Sequence, residues 1–275
     1  MVPSIRRWTA QVLAAVGLVL LSFAVPTRPV RGQTLGTPSC GDGITEAGEQ
    51  CDSGNPAGGA CCDSACHFKV EGTECGSSLC DFGRCDSAGT CVASLRLGCR
   101  TTGVAVLAIN DDTEPDPDDP VDVVDAGDKV RWKWRKGPAT RIEDYADPGR
   151  TTTFALCVYA GVSTTPRMAF SIPPSDRFWK TTVSHIHEGQ VLGFTYRDGT
   201  GSADGVNSLL LRVGAQNKSN ISFRASGPNL PDPPAGPLPF PVTVQLVNNT
   251  NNVCFQSVFG SAARNDADGF KAMTP

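Results

Sequence analysis

The residues whose types and spacing best suggest chemistry lie between Cys40 and Asp52, in the stretch CGDGITEAGEQCD. This stretch combines two cysteines and three glycines with four carboxylates, which are Asp42, Glu46, Glu49 and Asp52. Calcium prefers hard oxygen ligands, and the glycines allow the chain to curl until the four carboxylates converge. Because converging carboxylates repel one another without a cation, the stretch predicts a structural Ca2+ site. The alternative is an ordinary acidic turn that is held by its two cysteines alone.

Ten of the twelve cysteines lie between Cys40 and Cys99. Zinc modules usually present thiolates in C-x-x-C pairs, and this segment contains no such pair, so the cysteines predict a disulfide framework. The segment has too few apolar residues to form a core of its own. Disulfides, each contributing about 2–4 kcal/mol, can replace a core. They persist in oxidising compartments, which indicates an exported protein.

The first 32 residues are predicted to form a signal peptide. Two arginines precede an apolar run from Val12 to Val25, and a polar segment ending in Val30-Arg31-Gly32 follows it, which is the pattern of a cleaved export signal. Cleavage after Gly32 makes Gln33 the first mature residue, and cleavage after Ala24 is the alternative. The apolar run is too short to span a bilayer comfortably, so we expect no membrane span in the mature chain. The predicted location is extracellular, cell-surface or periplasmic.

Charge is distributed unevenly along the chain. The formal net charge is −4, but residues 1–32 hold four arginines and no acid, so the remainder carries 20 basic and 28 acidic residues, a net charge near −8. An acidic mature chain argues against a nucleic-acid partner, because such binding depends on neutralising phosphates. Nine acids and no base lie between Asp111 and Asp128. This segment is predicted to be a solvated loop, and the alternative is a second, weaker cation site.

The second part of the chain alternates short apolar runs with turn residues. In Lys129–Arg135, KVRWKWR, the apolar Val130, Trp132 and Trp134 share one face and the basic residues share the other. This period of two predicts a half-buried strand with the tryptophans in the core, and the alternative is a surface that binds a polyanion or a sugar. The other predicted strands are Val104–Ile109, Phe154–Ala160, Arg167–Ile172, Gln190–Arg197, Val206–Val213, Ile221–Ala225, Val242–Val247 and Cys254–Phe259.

Short strands in this number, separated by Gly, Pro and Asn turns, are typical of a sandwich or barrel. The predicted fold is mainly β: a small disulfide-rich module with little regular structure, followed by an antiparallel β-sandwich, jelly-roll-like or Ig-like. The predicted domains are the signal peptide 1–32, a linker 33–39, a cysteine-rich module 40–99 and a β-sandwich domain 100–275. Cys157 and Cys254 are the only cysteines of the last domain. They are predicted to bond each other, and the alternative is two buried free thiols.

No group of residues predicts catalysis. His185 and His187 form the only histidine cluster, but a cupin-like metal site needs a further downstream histidine, so an exposed polar segment is favoured. The chain has neither a nucleophile elbow nor a nucleotide-binding fingerprint. An alternative function is a secreted carbohydrate-binding protein or hydrolase that uses aromatic rings exposed on the sandwich face. Those rings are Trp132, Trp134, Tyr159, Trp179 and Tyr196.

The cysteine-rich segment resembles known modules over residues 40–91. The runs CGDGITEAGEQCDSG, CCDSACHFKVEGTEC and CDFGRCDSAGTC are similar to the disintegrin-like module of metalloprotease-disintegrin proteins and, more closely, to the myxobacterial cysteine-rich repeats of exported bacterial proteins. The resemblance implies a structural calcium with side-chain ligands Asp42, Glu46, Glu49 and Asp52 and carbonyl ligands Ser39 and Ile44. It implies the disulfides Cys51–Cys66, Cys61–Cys85 and Cys75–Cys91. Integrin binding is not implied, because no Arg-Gly-Asp occurs and the segment from Cys75 to Cys85 is short and holds an extra Cys80.

Residues 129–272 resemble an uncharacterised β-rich domain of exported bacterial proteins. The runs that carry the similarity include KVRWKWRKGPAT, YADPGRTTTFALCVYAG and LGFTYRDGT. This resemblance implies architecture and export and no activity. The sequence as a whole predicts a secreted or cell-surface bacterial protein that is non-enzymatic and acts in adhesion or extracellular interaction. The expected partner is an extracellular protein or glycan.

Overall fold

The computed structural model describes residues 39–111, 127–184, 189–234 and 236–274. The predicted signal peptide, nearly all of the linker, both histidines of the cluster and residues 112–126 of the acidic segment lie outside these ranges. The described residues form one compact unit. Sixteen strands and one short 3-10 helix, Ile142–Tyr145, make up the described part. The strands are β1 (Glu74–Cys75), β2 (Gly83–Cys85), β3 (Cys91–Ala93), β4 (Arg100–Thr101), β5 (Val104–Asn110), β6 (Lys129–Gly137), β7 (Phe154–Ala160), β8 (Met168–Ile172), β9 (Trp179–Val183), β10 (Val191–Arg197), β11 (Val206–Arg212), β12 (Ser219–Ser226), β13 (Val242–Asn248), β14 (Phe255–Phe259), β15 (Arg264–Asp266) and β16 (Gly269–Met273).

The strands form three sheets. An eight-stranded sheet has the order β15-β16-β5-β6-β12-β11-β10-β9, and a five-stranded sheet has the order β4-β14-β13-β7-β8. A small sheet, β1-β2-β3, belongs to the cysteine-rich segment. Neighbouring strands are antiparallel except β4 and β14, which are parallel. The predicted mainly-β class and the sandwich of antiparallel sheets are confirmed.

The core lies between the two large sheets. Val130, Trp132 and Trp134 of β6 are fully buried, as the alternation in KVRWKWR predicts, and the basic residues between them face the other way. Rings from the two sheets meet in this core: Trp134 packs against Phe255 with centroids 5.4 Å apart. The polar edge of Trp132 is satisfied as well, because its Nε1 donates to Ser257 Oγ at 3.2 Å.

Two neighbouring strands of the five-stranded sheet, β7 and β13, are buried at every residue. Their inner face packs on the eight-stranded sheet. Their outer face is covered by the cysteine-rich segment, where Leu79, Cys80 and Leu95 pack against Ala155, Cys157, Tyr159, Val247 and Cys254. A strand that is covered on both faces requires an uninterrupted apolar run, which explains the sequence FALCVYA of β7.

Six disulfides use all twelve cysteines. The pairs Cys61–Cys85 and Cys75–Cys91 are present. The structure corrects the pair Cys51–Cys66, because the bonds are Cys51–Cys62 and Cys40–Cys66. Cys66 meets Cys51 through its main chain instead: the Cys66 carbonyl accepts the N–H groups of Gln50 at 2.9 Å and of Cys51 at 3.3 Å.

The structure also corrects the predicted pair Cys157–Cys254. Cys157 bonds Cys80 and Cys254 bonds Cys99, so both β-sandwich cysteines connect to the cysteine-rich segment. The physical reason is sheet order. Cys157 lies in β7 and Cys254 directly precedes β14, and β13 runs between these strands. Two strand spacings separate their main chains by about 9–10 Å, beyond the reach of a disulfide.

Candidate functional site

Two disulfides, Cys80–Cys157 and Cys99–Cys254, join the cysteine-rich segment to the sandwich. In addition to the two disulfides, the buried Tyr159 hydroxyl donates to the Cys80 carbonyl at 2.9 Å. Gln245, which is fully buried in β13, donates its Nε2 to the Arg96 carbonyl at 2.8 Å and accepts the Arg96 N–H at 3.2 Å. These contacts hold the segment on the sheet, because the buried polar groups of Tyr159 and Gln245 find hydrogen-bond partners in it.

A second set of polar contacts holds the segment where it enters the sandwich. Arg100 makes a two-pronged ion pair with Asp144, with Nη1–Oδ2 at 2.7 Å and Nη2–Oδ1 at 2.8 Å. Burial raises the pKa of Asp144, but the hydrogen bonds from Arg100 and from the Arg141 N–H lower it by more, so the net pKa is below the usual value.

A cavity of about 310 Å³ opens where the cysteine-rich segment meets the sandwich. It lies between Leu79 and Cys80 on one side and Phe170 and Asp204 on the other.

In the predicted calcium loop, Asp52 organises the main chain. Its Oδ1 accepts the N–H groups of Gly43 at 2.9 Å and Gly54 at 2.6 Å, and its Oδ2 accepts those of Gly41 at 2.7 Å and Asp42 at 3.2 Å. The bond from Gly54 is the largest cause of a lowered Asp52 pKa, because these N–H groups stabilise the charged carboxylate. Gly41 adopts φ +96°, and a Cβ there would lie 2.4 Å from the Pro56 nitrogen, so only glycine fits this turn.

The other three carboxylates of the loop also accept main-chain N–H groups. Glu46 accepts Ser39 N–H at 2.9 Å, Glu49 accepts Glu46 N–H at 3.1 Å, and Asp42 accepts Ile44 N–H at 2.9 Å. Each uses one oxygen for this contact, whereas Asp52 uses both of its oxygens.

Only some of the predicted ligands come together in the loop. The ligand-type atoms that lie within 4.8 Å of one another belong to Glu49, Asp52 and Cys66, and this group contains neither Asp42 nor Glu46. Cys66 is bonded to Cys40 and so offers no thiolate. The two carboxylates best placed to share a cation are therefore Glu49 and Asp52. Asp52 cannot turn towards a cation without losing hydrogen bonds from main-chain N–H groups. The calcium site stays a prediction.

The aromatic rings named for the carbohydrate alternative are buried. Trp132 and Trp134 are 0% exposed, Tyr196 is 1% exposed, Tyr159 2% and Trp179 3%. They are core residues because each packs between sheets or under the cysteine-rich segment. A sugar cannot stack on them, and the version of the alternative function that depends on these rings is wrong.

The outer face of the eight-stranded sheet, opposite the cysteine-rich segment, carries a concentration of positive charge that we call the basic face. Sequence alternation predicts its four residues on β6. Strand pairing adds three arginines, one each from β12, β11 and β10, which are the next strands across the sheet from β6. The alternating burial along β12 is the signal that could have indicated Arg224. The basic face consists of Lys129, Arg131, Lys133, Arg135, Arg197, Arg212 and Arg224.

Next to the basic face, a buried carboxylate stabilises the turn between β10 and β11. Asp198 is 1% exposed. Its Oδ1 accepts the N–H and hydroxyl of Thr200 at 2.9 and 2.7 Å, and its Oδ2 accepts the N–H and hydroxyl of Ser202 at 2.7 and 2.6 Å. Burial alone raises the pKa of Asp198, but these four hydrogen bonds outweigh it and lower the pKa well below the usual range. The charge of Asp198 is thus internally satisfied beside Arg197.

Two relatives are similar to part of this chain. A "Zinc metalloproteinase/disintegrin" of Craspedocephalus gramineus is 44% identical over 72 residues, which are 26% of this chain and 16% of that protein. A "Zinc metalloproteinase/disintegrin" of Gloydius halys is 44% identical over 52 residues, 19% of this chain and 11% of that protein. This chain therefore spans less than a fifth of the length of these relatives. No protein-family model and no solved structure matches it.

These similarities, together with six disulfides, support a disintegrin-like cysteine-rich module in this chain. Disulfides in this number are typical of proteins in oxidising, extracellular surroundings. Among the described residues, no helix has the length and apolar character needed to cross a membrane.

Proposed function

We propose that this protein is an exported, non-enzymatic bacterial protein whose β-sandwich presents a disintegrin-like module to an extracellular protein or glycan, as in adhesion. The observation that carries the proposal is the junction: two disulfides and the buried Tyr159 and Gln245 contacts hold the module in one orientation. A binding surface held in this way loses little conformational freedom when a partner docks, which favours affinity.

The contact surface that we propose lies on the module, away from its junction with the sandwich. The segment from Cys75 to Cys85 is tied to the sandwich through Cys80, which is bonded to Cys157, so it is not a free recognition loop. Half of the ten exposed large apolar side chains of the described residues belong to the module, although it has few apolar residues in all. Val70 is 80% exposed and Ile44 is 63% exposed. Exposed apolar side chains on a rigid surface are the anchors that protein interfaces use.

A structural calcium in the loop of Cys40 to Asp52 is part of the same proposal. Its support is the proximity of Glu49 and Asp52, two carboxylates whose mutual repulsion a cation would relieve. Glu46 and Glu49 each keep one oxygen that accepts no hydrogen bond within the described residues. These oxygens, with carbonyls such as those of Ser39 and Ile44, make up the proposed ligands. Glu46 does not lie within the close group of Glu49 and Asp52, so it must turn its side chain towards Glu49 to bind the ion. Asp52 acts as the main-chain acceptor that shapes the loop.

Calorimetry of the oxidised mature chain with calcium tests this ligand set. Glu46→Gln/Glu49→Gln is expected to weaken calcium binding by at least about tenfold, because charged ligands dominate calcium affinity. Glu71→Gln, an exposed acid of the same module, is the matched control and is expected to leave affinity unchanged. Equal affinities for the wild type and the double variant would refute the site.

The function itself is tested by probing the labelled, oxidised mature chain against arrays of extracellular proteins and glycans. We expect saturable binding to at least one of them. Ile44→Asp/Val70→Asp is expected to lower that binding by about tenfold or more, as loss of apolar anchors does. Val162→Asp on the sandwich is the control, because Val162 is 100% exposed and lies outside the module. If no partner binds, or if the control variant weakens binding as much, the proposal is wrong.

A further inference from the structure

We propose that the basic face is a binding site for a linear polysaccharide that carries sulfate or carboxylate groups. This site lies on the opposite side of the sandwich from the disintegrin-like module and does not depend on what the module binds. If both surfaces work, the protein can hold an anionic glycan and a second extracellular partner at the same time.

The first observation is that the positive charges are aligned across the sheet. Strand pairing places Arg197 opposite Ser208, Ser208 opposite Arg224, and Arg224 opposite Arg131. The row continues through Ala108 to Lys271. Neighbouring strands are about 4.8 Å apart, so the row is a line of cations that runs perpendicular to the strands. Lys129 and Lys133 widen this line at β6, because they lie two residues before and after Arg131 on the same face.

The second observation concerns the ion pairs that form among the described residues. None of the seven residues of the basic face forms an ion pair within the described part of the chain. Asp198 lies beside Arg197, but Thr200 and Ser202 already occupy its oxygens. Like charges that are directly opposite on neighbouring strands, as Arg131 and Arg224 are, destabilise a sheet. A bound polyanion would relieve this repulsion.

The third observation is the shape of the surface. Shallow depressions of about 390, 550, 200 and 430 Å³ lie along this sheet. They join one another through shared residues: Arg197 borders two of them, Arg224 borders two, and Lys129 and Arg131 border two. The basic residues therefore line one continuous strip, which suits an extended chain better than a compact ligand.

The chemistry of the strip favours a polysaccharide over a nucleic acid. Hydroxyl and amide side chains lie between the cations, including Asn207, Ser208, Asn220 and Ser222, and they match the hydroxyl groups of sugars. Single-stranded nucleic acids need aromatic platforms on which bases stack. The aromatic residues of these strands, such as Trp132 and Phe223, are buried on the other face. Arginine, which supplies five of the seven cations, binds carboxylate and sulfate groups with two parallel hydrogen bonds.

Binding of the oxidised mature chain to four immobilised polymers tests the proposal: heparin for sulfate groups, polygalacturonate for carboxylate groups, dextran as the neutral polymer and duplex DNA as the other polyanion. At physiological ionic strength we expect heparin, polygalacturonate or both to bind, and whichever binds identifies the anionic group. Dextran is expected not to bind. Binding to dextran, binding to neither charged polysaccharide, or tighter binding to DNA than to both would overturn the proposal.

Paired variants locate the site. Arg131→Gln/Arg224→Gln removes the two positive charges at the centre of the row, both at solvent-exposed positions. This double variant is expected to bind the polysaccharide about tenfold more weakly. It should also lower the slope of log affinity against log salt by about one for each arginine that contacts an anion. Arg150→Gln/Arg167→Gln changes the net charge equally, at exposed positions outside the eight-stranded sheet, and is expected to leave binding unchanged.

Two checks separate this proposal from others. Equal urea midpoints for the two double variants exclude unfolding as the cause of weaker binding. Ile44→Asp/Val70→Asp, which probes the module, is expected to bind the polysaccharide like the wild type, so failure of the module proposal and failure of this one are distinguishable. If both arginine pairs weaken binding equally, the effect comes from net charge and the basic face is not the site.

Discussion

Loss of the Cys80–Cys157 disulfide is expected to destabilise the whole folded unit, and the size of the effect can be worked out from the structure. The bond closes a loop of 77 residues, for which the chain-entropy model gives about 4.5 kcal/mol at 25 °C. Both sulfurs are buried, with Cys157 0% and Cys80 4% exposed, so Cys80→Ala/Cys157→Ala also leaves a small cavity, which adds to the loss. The total expected decrease in the free energy of unfolding is at least about 4.5 kcal/mol.

Cys75→Ala/Cys91→Ala is the matched control because this bond lies inside the cysteine-rich module and closes a loop of only 16 residues. The same model gives about 3 kcal/mol for it, so the two variants should differ by at least about 1.4 kcal/mol. The assay is equilibrium unfolding of the mature chain in urea, followed by fluorescence. Trp132, Trp134 and Trp179 are buried in the sandwich, so the signal reports on the body that the bond cross-links.

A control variant that is destabilised as much as Cys80→Ala/Cys157→Ala would refute this reasoning. Peptide mapping without reduction gives an independent check, since the structure requires Cys157 on Cys80 and Cys254 on Cys99. Recovery of a peptide in which Cys157 is bonded to Cys254 would contradict the sheet order on which the calculation depends.

Three further predictions concern polar groups. Asp198→Asn should lower the free energy of unfolding at neutral pH by about 1–3 kcal/mol. The folded-state pKa of Asp198 lies below its usual 3.8. The contribution of Asp198 to stability is therefore present above pH 3.8 and is lost as pH falls through the folded-state pKa. The urea midpoints of variant and wild type should converge in acid. The pKa values of Tyr159 and Tyr196 are raised to about 12 by burial and that of Tyr145 is raised as well. The stabilisation from keeping these hydroxyls neutral is complete below the usual pKa of 10.0 and is lost as pH rises towards the folded-state pKa values. Tyrosinate absorbance should therefore rise only together with alkaline unfolding. A separate rise near pH 10 would contradict the burial of the hydroxyls. Asp52→Asn should speed hydrogen exchange at Gly41, Gly43 and Gly54, whose N–H groups lose a charged acceptor, and unchanged exchange measured by NMR would show that Asp52 does not shape the loop.

Periodicity in the sequence predicted the interior strands better than the edges of the sheet. The alternation in β6 and the apolar run of β7 predict strands, and both are central in their sheets. The edge strand β9 was missed because only Trp179 is buried in it, so it has no alternating pattern. β16 was also missed, although it is next to the edge strand β15 and not itself an edge, because Gly269–Met273 has only two buried residues, Phe270 and Ala272.

The cysteine-rich loop shows a similar division. Residue types predict an acidic, glycine-containing curl at Cys40 to Asp52, and Gly41 does adopt the positive φ that such a curl requires. Whether a carboxylate faces a cation or a main-chain N–H group depends on where the backbone points. The four N–H groups around Asp52 come from two separate stretches, Gly41–Gly43 and Gly54. Spacing along the chain carries no information about such a convergence.

By itself, the sequence determined which side chains share a face, because consecutive residues of a strand point to opposite sides of the sheet and this follows from local geometry. That rule alone places Trp132 and Trp134 inside, and it places the basic residues of the same strand outside: Lys129, Arg131, Lys133 and Arg135. Only the tertiary structure decided which strands are neighbours, because strand order depends on long-range packing and on how two sheets cover each other. That order separates Cys157 from Cys254 by an intervening strand, and it places Arg131 directly beside Arg224, which lies 93 positions away in the sequence.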